Sequence, residues 1–108
     1  SEESEQVLDD ARAVAEAGAF AVVLEGVTSD LARRITADLP VPTIGIGGGP
    51  HCDGQIQVLH DLLGLFEEFI PKHAKRYAEL ATVIRDAVAA YGDEVRAGQF
   101  PDGEHSFE

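Results

Sequence analysis

The run Ala21-Val22-Val23-Leu24-Glu25-Gly26-Val27 constrains this chain more than any other stretch. An apolar segment of strand length ends there in a single carboxylate. A second apolar segment, Thr43-Ile44-Gly45-Ile46, opens into Gly47-Gly48-Gly49-Pro50. Between the two lies a helical pattern, with Leu31, Ile35 and Leu39 on one stripe and Arg33 and Arg34 off it. Thr28 or Ser29 caps that helix, Asp30 sits in its first turn, and Pro40 and Pro42 end it. Strand, helix and strand with short links form the unit of a parallel α/β sheet. The Ala19–Leu24 run lacks the alternation of a half-wet strand, so cover is expected on both of its faces. In a closed α/β barrel, the strand ends where the loops begin carry the chemistry. Glu25 is therefore the first catalytic candidate.

The flanking segments extend this pattern. A helix is expected from about Ser4 to Ala17, with Val7, Leu8, Ala11, Val14 and Ala15 inward and Gly18 as its stop. Asp53-Gly54-Gln55 reads as a turn or the start of a short helix, and Val58 to Leu62 as a short third strand. Pro71 suits the first turn of a long final helix over about 71–97. Its apolar stripe is Tyr77, Leu80, Ile84, Val88, Tyr91 and Val95, and Gly98 closes it. That stripe reads as core, or as an assembly surface. The expectation is one domain over residues 1–108 with about three strands. A complete barrel takes about 250 residues, against the 108 here. The sequence thus describes either a smaller open sheet or part of a longer protein, and a start at Ser1 inside a helical pattern points to the second.

The charge balance narrows the partners. Twenty Asp and Glu against eight Lys and Arg give a net charge of −12. Such a field repels phosphate backbones and anionic membranes, so neither nucleic acid nor membrane is an expected partner. No stretch approaches the apolar length of a membrane span. Cys52 is the one cysteine, which fits a reducing compartment and a cytoplasmic location.

Few residues offer chemistry. A carboxylate at the mouth of an apolar pocket loses hydration, which raises its proton affinity and suits it to act as a general base. The alternative for Glu25 is a structural ion pair or loop cap. Gly45, Gly47 and Gly48 belong to a loop whose backbone can approach a ligand closely. The run matches neither a dinucleotide fingerprint nor a P-loop, and a tight strand-to-helix turn explains it equally well. His51, Cys52 and Asp53 are adjacent, and adjacent side chains seldom converge on one ion. His60-Asp61 and His73 stand apart. No base is placed to activate Cys52, which reads as a small packed side chain. Lys72, Lys75 and Arg76 cluster where the final helix is expected to begin, and read as a solvated face or one turned to acidic loops or a neighbouring subunit.

Three blocks together carry a resemblance. Ala17 to Glu25, Leu31 to Thr36, and Pro42 to Gln55 with its Cys52-Asp53-Gly54-Gln55 ending resemble the ketopantoate hydroxymethyltransferase family. Val58 to Gly64, Phe100-Pro101 and Glu104 to Phe107 are similar as well. The resemblance implies the C-terminal portion of a (β/α)8 TIM barrel of the phosphoenolpyruvate mutase-like group. It implies transfer of a hydroxymethyl group from 5,10-methylenetetrahydrofolate to 3-methyl-2-oxobutanoate, giving 2-dehydropantoate on the route to pantothenate and coenzyme A. It implies Mg²⁺ that binds the keto acid and stabilises its enolate, with ligands in an N-terminal half this sequence does not contain. It implies that Glu25 takes the place of the family's proton acceptor, that Gly45, Gly47 and Gly48 line the substrate pocket, and that the last helix joins a homo-oligomer, a decamer in the family. Gly26 and Gly48 depart from the family pattern, Gly48 standing where an Ala is usual. The segment alone is expected to be inactive. The competing reading is a non-catalytic fragment that acts as an assembly or interaction module through its last helix. A related barrel lyase is a third, which the Cys52 to Gln55 block disfavours.

Overall fold

The computed structural model describes residues 1–107, which form two compact units. The first comprises Ser1–Val58 with Lys72–Ala74, and the second Leu59–Pro71 with the residues from Lys75 onward. No helix among the described residues is long and apolar enough to cross a membrane.

The first unit holds α1 (Glu2–Glu16), β1 (Val22–Glu25), α2 (Ser29–Asp38), β2 (Thr43–Ile46) and β3 (Gly54–Gln55). The three strands form one parallel sheet in the order β1-β2-β3. Helix α2 begins where the sequence places its cap, with the Thr28 hydroxyl accepting from the Leu31 amide at 3.3 Å. Its stripe of Leu31, Ile35 and Leu39 is buried, and Ala32 joins it. These side chains meet Leu8 and Ala11 of α1 and Val22 and Leu24 of β1 in one core. Val14, expected inward on α1, is exposed. Arg33 and Arg34 face outward, and Arg34 reaches Glu5 of α1 at 2.9 Å.

β1 corrects the expectation of cover on both faces. Val22 and Leu24 are buried, whereas Val23 is 55% exposed and Glu25 is exposed too. Successive strand residues point to opposite faces, and the core formed by α1 and α2 lies on the face of Val22 and Leu24. The strand is also shorter than the apolar run: Ala19 to Ala21 lead into it, and Phe20 is exposed.

The third strand lies elsewhere than expected. Val58 to Leu62 is no strand; α3 spans Leu59–Leu62, and β3 is the Gly54–Gln55 pair read above as a turn. β3 exists through backbone pairing, with Ile44 opposite Gly54 and Gly45 opposite Gln55, and the Ile56 amide donates to the Gly45 carbonyl at 3.0 Å. Side-chain hydrophobicity carries no signal for such a strand. A Cβ on Gly54 would lie 2.9 Å from the Ile44 δ-methyl, so glycine lets these strands close.

The second unit holds α3, α4 (Leu80–Arg96) and a 3₁₀ turn over Gly103–His105. The final helix starts at Leu80 and not near Pro71. The amides of Tyr77, Leu80 and Ala81 donate to the carbonyls of Leu62, Leu63 and Gly64, at 2.8, 2.9 and 3.1 Å. The preceding segment is thereby tied to the end of α3, and Tyr77 lies outside the helix that carries the rest of the stripe. Ile84, Val88, Tyr91 and Val95 are all exposed, so α4 contributes no buried residue. Tyr91 meets the Phe100 ring edge-on at 5.6 Å.

Candidate active site

The parallel register brings the two informative segments together. Glu25 is the last residue of β1 and pairs with Ile46, the last residue of β2. The Gly26 amide donates to the Ile46 carbonyl at 2.9 Å, extending the pairing one step beyond the strand. The carboxylate-bearing end of β1 therefore lies directly beside the entry to the glycine turn. Glu25 shares its face of β1 with Val23, opposite the face that packs on the helices. Both are exposed, so the apolar cover that would desolvate Glu25 is not supplied by the described residues.

The turn after β2 is held from below. Thr43 is fully buried, and its amide donates to the Asp53 carboxylate at 2.9 Å. The Asp53 amide donates back to the Thr43 hydroxyl at 3.2 Å, and the Thr36 hydroxyl lies 2.7 Å from that same oxygen. This network fastens β2 both to α2 and to the segment that leads into β3. A buried hydroxyl needs such partners, because leaving one unsatisfied costs about 1–3 kcal/mol.

A cavity of about 870 Å³ opens at the strand ends within the first unit. Gly47, Gly49 and Pro50 form one wall, and Val27 and Ser29, at the start of α2, form another. Gln55 of β3 completes the base, its amide donating to the Gly49 carbonyl at 2.9 Å. Lys72 and His73 close the remaining side. The turn fits only glycine at two points. Gly47 has φ of +69°, and a Cβ there would lie 3.1 Å from the His73 ring. Gly49 has φ of +80°, and a Cβ there would lie 2.3 Å from the Ser29 hydroxyl.

The sequence-derived residues fall differently around this cavity. Gly47 is in its wall. Gly45 packs beneath Cys52, where an added Cβ would lie 2.9 Å from Sγ. Gly48 is buried against Val27 and Ala32. Glu25 is at the same end of the sheet but not in this cavity's wall. Ser29, Gln55, Lys72 and His73 carry no ligand-contact signal in the sequence. Lys72 appeared only as a member of a basic cluster, and no local pattern places residues 72–74 against a turn more than twenty positions earlier. Among the described residues, no three His, Cys, Asp or Glu side chains converge to hold a metal ion. The described residues therefore do not fit a magnesium site.

These features define a parallel α/β unit whose cavity and carboxylate gather at the C-terminal strand ends. The sequence pattern of the ketopantoate hydroxymethyltransferase family matches residues 1–103, and the chain belongs to that family. It is 61% identical over 106 residues to the 3-methyl-2-oxobutanoate hydroxymethyltransferase of Pelobacter propionicus, covering 98% of this chain and 39% of the relative. The enzyme of that name from Moorella thermoacetica is 64% identical over 105 residues, 97% of this chain and 39% of the relative. That from Geobacter sulfurreducens is 60% identical over 106 residues, 98% of this chain and 40% of the relative. The chain thus spans about 40% of the length of the curated relatives it matches.

Proposed function

We propose that this chain forms the C-terminal portion of a (β/α)8 TIM barrel of the phosphoenolpyruvate mutase-like group. In the complete enzyme it helps transfer a hydroxymethyl group from 5,10-methylenetetrahydrofolate to 3-methyl-2-oxobutanoate, giving 2-dehydropantoate. The observation that carries this reading is the pairing of Glu25 with Ile46 at the strand ends, beside the Gly47 turn, in a chain of this family. Active sites of parallel barrels sit at this end of the sheet. Glu25 is the general base: it takes the proton from C3 of the keto acid, and the carbon so activated forms the new C–C bond to the donated carbon. One C–N bond of the bridging methylene breaks as its carbon is attacked, and water displaces the second folate nitrogen to supply the hydroxyl, the two nitrogens taking up the proton from C3 and one from water. Gly45, Gly47 and Gly48 line the substrate pocket, Gly47 directly in the cavity wall and the other two from behind the turn.

Magnesium, which the family resemblance implies, would take its ligands from outside this chain. The complete protein is a cytoplasmic homo-oligomer, decameric by family resemblance, with the exposed stripe of α4 among its contacts. The net charge of −12 speaks against nucleic acid or anionic membranes as partners. The exposed α4 stripe also supports a second reading, a non-catalytic assembly module.

The test joins this chain to the N-terminal portion of the Pelobacter propionicus relative and follows loss of the C3 proton of 3-methyl-2-oxobutanoate in D₂O. Glu25→Gln should slow both exchange and turnover by about 10²–10⁴-fold, the usual contribution of a positioned base, with an unchanged unfolding midpoint. Wild-type rates in that variant would remove Glu25 from the mechanism. A defined oligomer that neither binds the keto acid nor exchanges its proton would favour the assembly module.

A further inference from the structure

The cavity at the strand ends carries a charge pattern unlike the rest of the chain. Acidic residues outnumber basic ones by 20 to 8, yet among the described residues no Asp or Glu lines this cavity. Every arginine lies within ion-pair distance of a carboxylate: Arg12 with Asp9 and Asp38, Arg33 with Asp30, Arg34 with Glu5, Arg76 with Glu79, Arg85 with Glu67 and Arg96 with Asp93. Lys72 stands instead in a wall free of acid, next to His73. Ser29 brings the start of α2 into the same lining, where the helix dipole favours negative charge. The volume of about 870 Å³ is that of a site for a sizeable organic molecule. The cavity is built for an organic anion.

On the reading proposed above, two anions reach the enzyme: the keto acid and the folate donor, whose glutamyl tail bears carboxylates. The keto acid must present C3 to Glu25, which lies outside this cavity's wall. We propose that the cavity seats the glutamyl carboxylates of the folate donor, with Lys72 as the principal cation and His73 and the start of α2 completing the seat. This inference rests on the proposed reaction and adds where the donor's charged end binds. Lys72, exposed in the lining, fixes the donor's charged end and leaves its other end to reach Glu25.

The experiment uses the same joined protein and compares two donors, methylenetetrahydrofolate and the corresponding tetrahydropteroate derivative, which lacks the glutamate. Lys72→Ala should raise KM for the glutamyl donor about tenfold, equivalent to about 1.4 kcal/mol, and leave KM for the pteroate donor unmoved. Lys72→Arg should restore most of the loss. Lys75→Ala, outside the wall, should change neither value. An equal rise for both donors, no rise for either, or a rise in the KM of the keto acid would overturn the assignment. Proton exchange at C3 by the wild-type protein needs no donor and tests the parent reading separately. Its absence would overturn both proposals, whereas its presence with an indifferent Lys72 would overturn this one alone.

Discussion

At the level of single residues, two neighbouring glycines answer to different physics. Gly49 needs a left-handed backbone, with φ of +80°, and an added Cβ would sit 2.3 Å from Ser29 Oγ and 3.1 Å from Ser29 Cα. Backbone strain costs about 1–3 kcal/mol and overpacking a similar amount. Gly49→Ala should therefore destabilise the fold by about 2–6 kcal/mol, read as a lower urea midpoint. Gly48 has no such backbone requirement, and its added Cβ would meet Val27 at 3.5 Å, an ordinary contact. Gly48→Ala should be neutral, or stabilising by up to about 1 kcal/mol through the unfolded chain. Equal losses in both variants would contradict this account of the turn. Sequence alone shows a glycine run and treats its members alike; which of them cannot change depends on Ser29 and His73 arriving beside them. Glu25 was legible because an apolar run ended by one charge and a glycine marks a strand exit. Lys72 and His73 were not, because their partners in the cavity are set by the path of a loop and not by spacing.

At the level of elements, α1 and α2 are joined across their exposed faces by ion pairs as well as by the core. Arg12 Nε donates to Asp38 at 2.7 Å, and Arg34 donates to Glu5 at 2.9 Å. The Arg12 hydrogen bond holds the Asp38 carboxyl below the usual aspartate range, and the Arg34 hydrogen bond lowers Glu5 in the same way. Arg12 is correspondingly held more firmly in its charged form. With both acids depressed in the folded state, the unfolded chain binds more protons across the acid range. Their contribution is fully present above the unfolded carboxylate values and is lost as pH falls through the folded ones. Acid unfolding should therefore begin at higher pH in Arg12→Gln and Arg34→Gln, and the acid limb of stability against pH should flatten. Because these groups are exposed, 1 M salt should weaken the difference. A salt-independent acid limb, identical in the variants, would assign it to other groups. α2 was readable from its cap, stripe and prolines, since those signals are local. β3 and the late start of α4 were not, because each is fixed by distant carbonyls: Gly45 for Ile56, and Leu62 to Gly64 for the segment entering α4.

At the level of the whole molecule, the uncovered face of the sheet decides how the chain behaves. Val23 is 55% exposed, Ile44 is only partly covered, and β1 and β3 end the sheet without further strand partners among the described residues. Unpaired edges beside an apolar face favour association between chains. The proposed barrel supplies what is missing, because further strands would pair both edges and the closed interior would cover Val23 and bring apolar surroundings to Glu25. The 108-residue chain by itself should accordingly show a light-scattering mass that rises with concentration, and no proton exchange with 3-methyl-2-oxobutanoate. Supplying the N-terminal portion of a relative, as a separate polypeptide or joined to this chain, should fix the mass at one value and start the exchange. The two changes should appear together as that portion is titrated in, since one event closes the sheet and completes the site. If the mass becomes fixed while exchange stays silent, the open face is an assembly surface and the catalytic reading of Glu25 fails. If the lone chain exchanges the proton, the chemistry needs nothing beyond these residues and the barrel-portion account fails instead.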